Sequence, residues 1–254
     1  MKKPAVERIV RCMSRVKMLS SLRFGLRSMR PGRGGSEQSA IDANVSMMTL
    51  IHKSCRIVNG GFTPKKGPRN AIAKALMFGE PELWHALLEK VSEVVIRYLK
   101  AQIAAGAQAV QLFDSWASAL GPRDFREFAL PYLAEAVRIA RGAGVPVIAF
   151  APGAGWALEE MTAATGADVI GIDWQTDAAD ARRRLGDHPV ALQGNLDPCW
   201  LYAPPATIRA RTHEMLAAFG GRGHIANLGH GINPDVPVAS AQAFIDAVKE
   251  WRAP

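Results

Sequence analysis

Ala109-Val110-Gln111-Leu112-Phe113-Asp114-Ser115-Trp116 is a short, mostly apolar run that ends abruptly in an acid, a hydroxyl and an aromatic ring. Gly106 precedes it and Gly121-Pro122 follow. A near-continuous run of Val, Leu and Phe suits a parallel strand covered on both faces, since such a strand has no solvent side to mark with alternating polar residues. In sheets of that kind, chemistry collects at the carboxyl ends of the strands, here at Asp114 and Ser115.

Working outward, the same design recurs. Leu83, Leu87, Leu88, Val91, Val95 and Leu99 recur at helical spacing and predict an amphipathic helix from Pro81 to about Ala105, with Pro81 in its first turn. Pro122 opens a helix whose buried side is Phe125, Phe128, Leu133, Val137 and Ile139, ended by Gly142 and Gly144. Strands are expected at Val145–Phe150, Val169–Ile172, Val190–Gln193 and His224–Asn227. Their loops begin at Ala151-Pro152-Gly153, Asp173-Trp174, Gly194-Asn195-Leu196-Asp197 and Leu228-Gly229-His230. Helices are expected from the 151–155 loop to Thr165, from the N-cap Asp177 to Leu185, over 205–218 and from Pro237 to Trp251. Five βα units at even spacing predict a parallel sheet with right-handed crossovers. A barrel fits better than a doubly wound sheet, because no Gly-x-Gly-x-x-Gly joins a strand to a helix.

The length of 254 residues is what one (β/α)8 barrel commonly needs, about 250. The net charge of +8 suggests an anionic partner until its distribution is read. Residues 1–69 hold 15 Lys and Arg against 3 Asp and Glu, whereas the rest holds 16 against 20. Phe24 and Phe62 are the sole aromatics in that first segment, so the stacking pattern of a nucleic-acid surface is missing. Residues 1–69 therefore read as a basic, poorly structured segment with a basic helix over 4–19, and residues 70–254 as the folded domain. No apolar run is long enough to span a membrane and no signal peptide is recognisable, which points to the cytoplasm. Cys12, Cys55 and Cys199 are too scattered for disulfides or a metal site and read as reduced thiols.

The strand ends carry a resemblance. Ala104-Ala105-Gly106-Ala107-Gln108-Ala109 running into Val110–Trp116, then Phe128-Ala129-Leu130-Pro131-Tyr132, Leu192-Gln193-Gly194-Asn195-Leu196-Asp197-Pro198 and Asn227-Leu228-Gly229-His230-Gly231-Ile232 resemble the uroporphyrinogen decarboxylase family, in its order, over about Asn70 to Trp251. The resemblance implies the carboxyl-terminal two thirds of a TIM barrel. It also implies a carboxy-lyase of haem biosynthesis that needs no cofactor or metal, takes uroporphyrinogen III to coproporphyrinogen III, and forms a homodimer. Loss of CO2 from a pyrrole acetate needs an electron sink in the protonated ring, so placed charges and donors carry the catalysis. By the same resemblance Ser115 donates a hydrogen bond to a substrate carboxylate, and His230 is a polar or cationic partner on the cleft rim. From the residues alone, Ser115 equally suits a loop cap and His230, between glycines, a turn. Asp114, Asp173 and Asp197 read first as carboxylates that hold loops through backbone N–H groups, and Trp116 and Trp174 as residues that either line the cleft or, as often for aromatics at strand ends, belong to the core.

The sequence departs from the family before residue 70. The family's catalytic aspartate has no counterpart, Asp42 being the sole Asp before 114, so no catalytic residue is assigned. Met29-Arg30-Pro31-Gly32-Arg33 echoes the family's arginine motif with a residue missing and no tyrosine. Ile57-Val58-Asn59-Gly60-Gly61 echoes a second motif, with Arg56 where a tyrosine belongs. The family's first three βα units need more than the 69 residues here, so the expectation is a partial barrel whose first strand keeps an unpaired edge. Two other functions compete. One is a corrinoid-dependent methyltransferase of the same fold, which needs a His-x-Cys zinc pair that the 150–155 loop lacks. The other is a porphyrinogen-binding protein without turnover.

Overall fold

A computed structural model describes residues 71–115, 117–221 and 223–252. The basic stretch 1–69, with Arg30, Arg33 and Asp42, and the Trp116 ring lie outside the described residues. The elements are α1 (Ala71–Gly79), α2 (Pro81–Ala104), β1 (Val110–Phe113), α3 (Pro122–Phe128), α4 (Leu130–Gly142), β2 (Val147–Phe150), α5 (Leu158–Thr165), β3 (Val169–Gly171), α6 (Ala178–Leu185), β4 (Ala191–Leu196), α7 (Pro205–Ala218), β5 (His224–Leu228) and α8 (Val238–Glu250). The five strands form one parallel sheet in the order β1-β2-β3-β4-β5. A doubly wound sheet reverses its order at a switch point. This one never does, so the architecture is five consecutive units of a (β/α)8 barrel. Among the described residues β1 pairs only with β2, and β5 only with β4.

The unbroken apolar runs are explained by burial of both sheet faces. Ala109, Ile148, Val169, Ala191 and Ile225 form a small cluster on one face. Their neighbours Val110, Val147, Ala149, Ile170 and Leu192 join the large core under the helices. Successive residues point to opposite faces, so a strand buried on both shows no alternation.

The structure corrects several expectations. Helix α2 buries Trp84, Leu88, Val91, Ser92, Val95 and Leu99, while Leu83 is 57% exposed, so the inward stripe runs through Trp84 instead. The single helix expected over 122–142 is two, α3 and α4. They meet at Ala129, whose φ of −123° is not helical, and Pro131 at the start of α4 has no N–H to carry the ladder across. Ile139 is half-buried rather than core. Strand β2 begins at Val147, not Val145. Strand β4 continues through Gly194, Asn195 and Leu196, residues expected in a loop, because β5 pairs with it as far as Leu196 with Leu228. Helix α1 was not expected. Asp177 does cap α6, its carboxylate accepting from Asp180 N at 2.6 Å.

The helix correction has a measurable consequence. Leu88 is fully buried, so Leu88→Ala should cost about 2–5 kcal/mol in chemical denaturation. Leu83→Ala should stay within about 0.5 kcal/mol of the parent. Equal losses would place both side chains in the core.

Candidate active site

The carboxyl ends of the strands hold the residues that the sequence singles out. Asp114 and Ser115 follow β1 but separate. Asp114 is buried, its N–H donating to Phe150 O at 2.8 Å and its carbonyl accepting from Ala117 N at 3.1 Å, whereas Ser115 is exposed. Phe113 and Phe150 are register partners, and their rings meet edge to face at 5.5 Å. Phe150 pairs in turn with Gly171, where a Cβ would lie 2.7 Å from the Phe150 ring, so glycine there leaves the ring room above β3. Lower in the sheet, Gln193 Nε2 donates to Gln111 Oε1 at 3.2 Å, joining β4 to β1 through buried amides.

The loops are tied in sequence around Asp173. Its carboxylate, in a residue only 4% exposed, accepts from Gly153 N of the β2 loop. It also accepts from Gln175 N at 3.1 Å and Thr176 Oγ1 at 3.4 Å in its own loop. Asn195 Nδ2, at the end of β4, donates to Asp173 O at 3.0 Å and Thr176 O at 2.6 Å. Gly229, after β5, donates to Leu196 O at 2.7 Å. A Cβ on Gly229 would stand 2.5 Å from Trp174 N and 3.2 Å from Asn195 O, so three loops close on each other at a residue without a side chain. Behind them, Arg184 of α6 donates to Gly155 O at 2.9 Å, Trp156 O at 3.1 Å and the Glu159 carboxylate. A hollow of about 410 Å³ lies here, bounded by Gly153, Trp156, Asp173, Thr176, Asp177 and Arg184. A larger one, of about 580 Å³, lies between α2 and α4 and includes no strand-end residue.

His230 is exposed, and its ring meets the edge of Trp174 at 6.1 Å, Trp174 itself being 42% exposed. Ser115 and His230 follow the first and last strands of the described sheet. Phe113 at the end of β1 is half-buried and Phe150 at the end of β2 is buried, so Trp174 is the exposed aromatic residue beside His230. The loop-holding reading of Asp173 and Asp197 agrees with their contacts, since Asp197 accepts from Cys199 N at 2.9 Å. The Asp197 carboxylate also pushes the exposed Cys199 thiol above its usual pKa, which keeps it protonated and weakly nucleophilic. Among the described residues no three His, Cys, Asp or Glu side chains converge to hold a metal.

Sequence reasoning misses Asn195, His224 and Tyr202, whose partners lie far along the chain. His224, at the start of β5, stacks on Phe219 at 3.7 Å and its Nε2 donates to Gly194 O at 2.8 Å, bracing β4 one residue before Asn195. Burial drives its pKa down to about 4, outweighing the backbone hydrogen bond that acts the other way. Tyr202 donates to Asp235 Oδ1 at 2.6 Å, joining the β4 loop to the β5 loop.

A parallel arc of five βα units with interlocked strand-end loops defines a TIM-barrel protein. The family model for uroporphyrinogen decarboxylase (URO-D) matches residues 54–251. This chain therefore belongs to the uroporphyrinogen decarboxylase family. The match begins before the boundary near 70, so it includes the 57–61 echo and leaves out the one at 29–33. Proteins named uroporphyrinogen decarboxylase from Edwardsiella ictaluri, Yersinia pseudotuberculosis and Hahella chejuensis are each 53% identical over 186 residues, 71% of this chain and 52% of theirs. The chain thus spans about half the length of these relatives. A solved methyltransferase from Methanosarcina mazei shares the fold, with a TM-score of 0.62 at 21% identity over 79% of this chain and 63% of that one.

Two outcomes test the loop arrangement. Gly229→Ala forces a Cβ against backbone, and we expect a loss of about 1–3 kcal/mol in unfolding free energy. A neutral result would show that the loops part easily. For His224, the folded pKa lies below the unfolded value of about 6.5. The unfolded chain therefore takes up the proton first, and stability should fall by about 1–3 kcal/mol from pH 6.5 to 4 and level off below. Denaturant midpoints across that range, in parent and His224→Phe proteins, would show it; the same slope in both would assign it elsewhere.

Proposed function

We propose that the strand-end face is the carboxylate-binding side of a uroporphyrinogen decarboxylase site, acting in haem biosynthesis on uroporphyrinogen III. Each acetate of the substrate loses CO2, its C–C electrons pass into the protonated pyrrole, and a proton returned to the remaining carbon leaves a methyl group. Four such steps give coproporphyrinogen III. The placement of Ser115 and His230 carries the reading: these two exposed residues follow the first and the last strand of the described sheet rather than a single loop. They suit a macrocycle with carboxylates around its rim. Ser115 Oγ–H holds one carboxylate and His230 another, while Trp174 beside His230 faces a pyrrole. The 53% identity to proteins of that name supports the substrate class. The cytoplasmic location, the homodimer and the absence of cofactor and nucleic acid belong to the same proposal, as does the division into a segment 1–69 and a barrel domain 70–254.

No residue of this sequence matches the family's aspartate, and its arginine motif is only echoed at Arg30 and Arg33. Even one missing preorganised donor lowers rates by roughly 10²–10³. For the 254-residue chain assayed by itself we expect binding of uroporphyrin, the stable oxidised octacarboxylate, without turnover of uroporphyrinogen III above background. Ser115→Ala and His230→Ala should each weaken that binding by about tenfold, read by fluorescence titration. No binding by the parent chain would sink the substrate assignment. Coproporphyrin that appears with the parent chain and vanishes with His230→Ala would show a complete catalyst instead.

A further inference from the structure

The β5 loop that carries His230 is attached at both ends to the same neighbouring connection. At its start, Gly229 N donates to Leu196 O at 2.7 Å, and at its far end Tyr202 Oη donates to Asp235 Oδ1 at 2.6 Å. Leu196 and Tyr202 bracket the short turn Pro198–Tyr202, which Asp197 caps and Pro198 opens. Around the second anchor, Val236 N donates to Asn233 O at 3.2 Å and Pro234 fixes one φ. His230 itself is exposed and meets only the edge of Trp174. A contact of that kind cannot hold a loop. The hydrogen bond to Asp235, with desolvation behind it, pushes the phenol above its ordinary pKa, outweighing a hydrogen bond with Asn233 of the same loop that acts the other way, so it stays a donor at neutral pH.

We propose that Tyr202 is a positioning residue: through Asp235 it fixes the loop 229–235 and thereby sets where His230 meets a substrate carboxylate. The proposal rests on the reading of His230 above for what the imidazole binds, but not for the anchoring. Tyr202→Phe keeps the ring and removes the donor. Asp235→Ala removes the acceptor, and Asp235→Asn restores an acceptor without the charge.

The experiment pairs hydrogen exchange over 229–236 with uroporphyrin titration of the whole chain. In Tyr202→Phe and Asp235→Ala, exchange should rise about tenfold in that segment and remain unchanged in β1 to β4, with Asp235→Asn close to the parent. Uroporphyrin affinity should fall about five- to tenfold in the same two variants, the size of one hydrogen bond to a charged group. Tyr202→Phe added to His230→Ala should cost nothing further, because the loop then has nothing to present. Unchanged exchange in Tyr202→Phe overturns the anchoring, whatever the ligand does. Faster exchange with parent affinity, or a full additional loss in the double variant, overturns the link to His230. A parent chain that does not bind uroporphyrin removes the substrate reading, and exchange alone then decides the anchoring.

Discussion

Asp173 sits where water hardly reaches, and a carboxylate in that position has to be met by donors from the protein. The donors come from two loops: Gly153 N from the one after β2, Gln175 N and Thr176 Oγ1 from its own. Asn195 then fastens the β4 end to the backbone carbonyls of that same loop, and Gly229 fastens the β5 end to β4. Four strand ends are thus referenced to one buried group. Its removal would strand the Gly153 and Gln175 N–H groups and the Thr176 hydroxyl at once, each of which is expensive to leave unpaired.

This arrangement divides labour between carboxylates and donors. Asp114 and Asp173 are buried and Asp197 is used as a cap, while Ser115 and His230 are exposed residues. Precision comes from the rigid inner shell, and access from the exposed outer one.

Much of the fold was legible in the sequence because the strands are buried on both faces and write themselves as uninterrupted apolar runs. The break between α3 and α4 was not, since buried residues continue at helical spacing across Ala129 and only the proline two residues later stops the ladder. Strand β4 was cut short because Gly194-Asn195 reads locally as a turn, and the pairing with β5 that overrides it is a tertiary fact. Short motifs single out Ser115 and His230 as candidates. The contacts that join the β3, β4 and β5 loops have no such mark: Asn195 with Thr176, His224 with Gly194 and Tyr202 with Asp235 join residues far apart in the chain, and nothing local marks either partner.

The strand order has a further effect, on how the molecule is made. Each strand pairs with the one just before it, Val147 with Val110, Val169 with Ile148, Ala191 with Val169 and His224 with Leu192. Every ladder therefore closes over a single intervening unit, and the entropy lost in closing a loop grows only slowly with its length. A parallel sheet is ordinarily a slow, nonlocal object to assemble. Here it can grow by accretion, one βα unit docking on the last as the chain leaves the ribosome, with the newest edge always the one about to be covered.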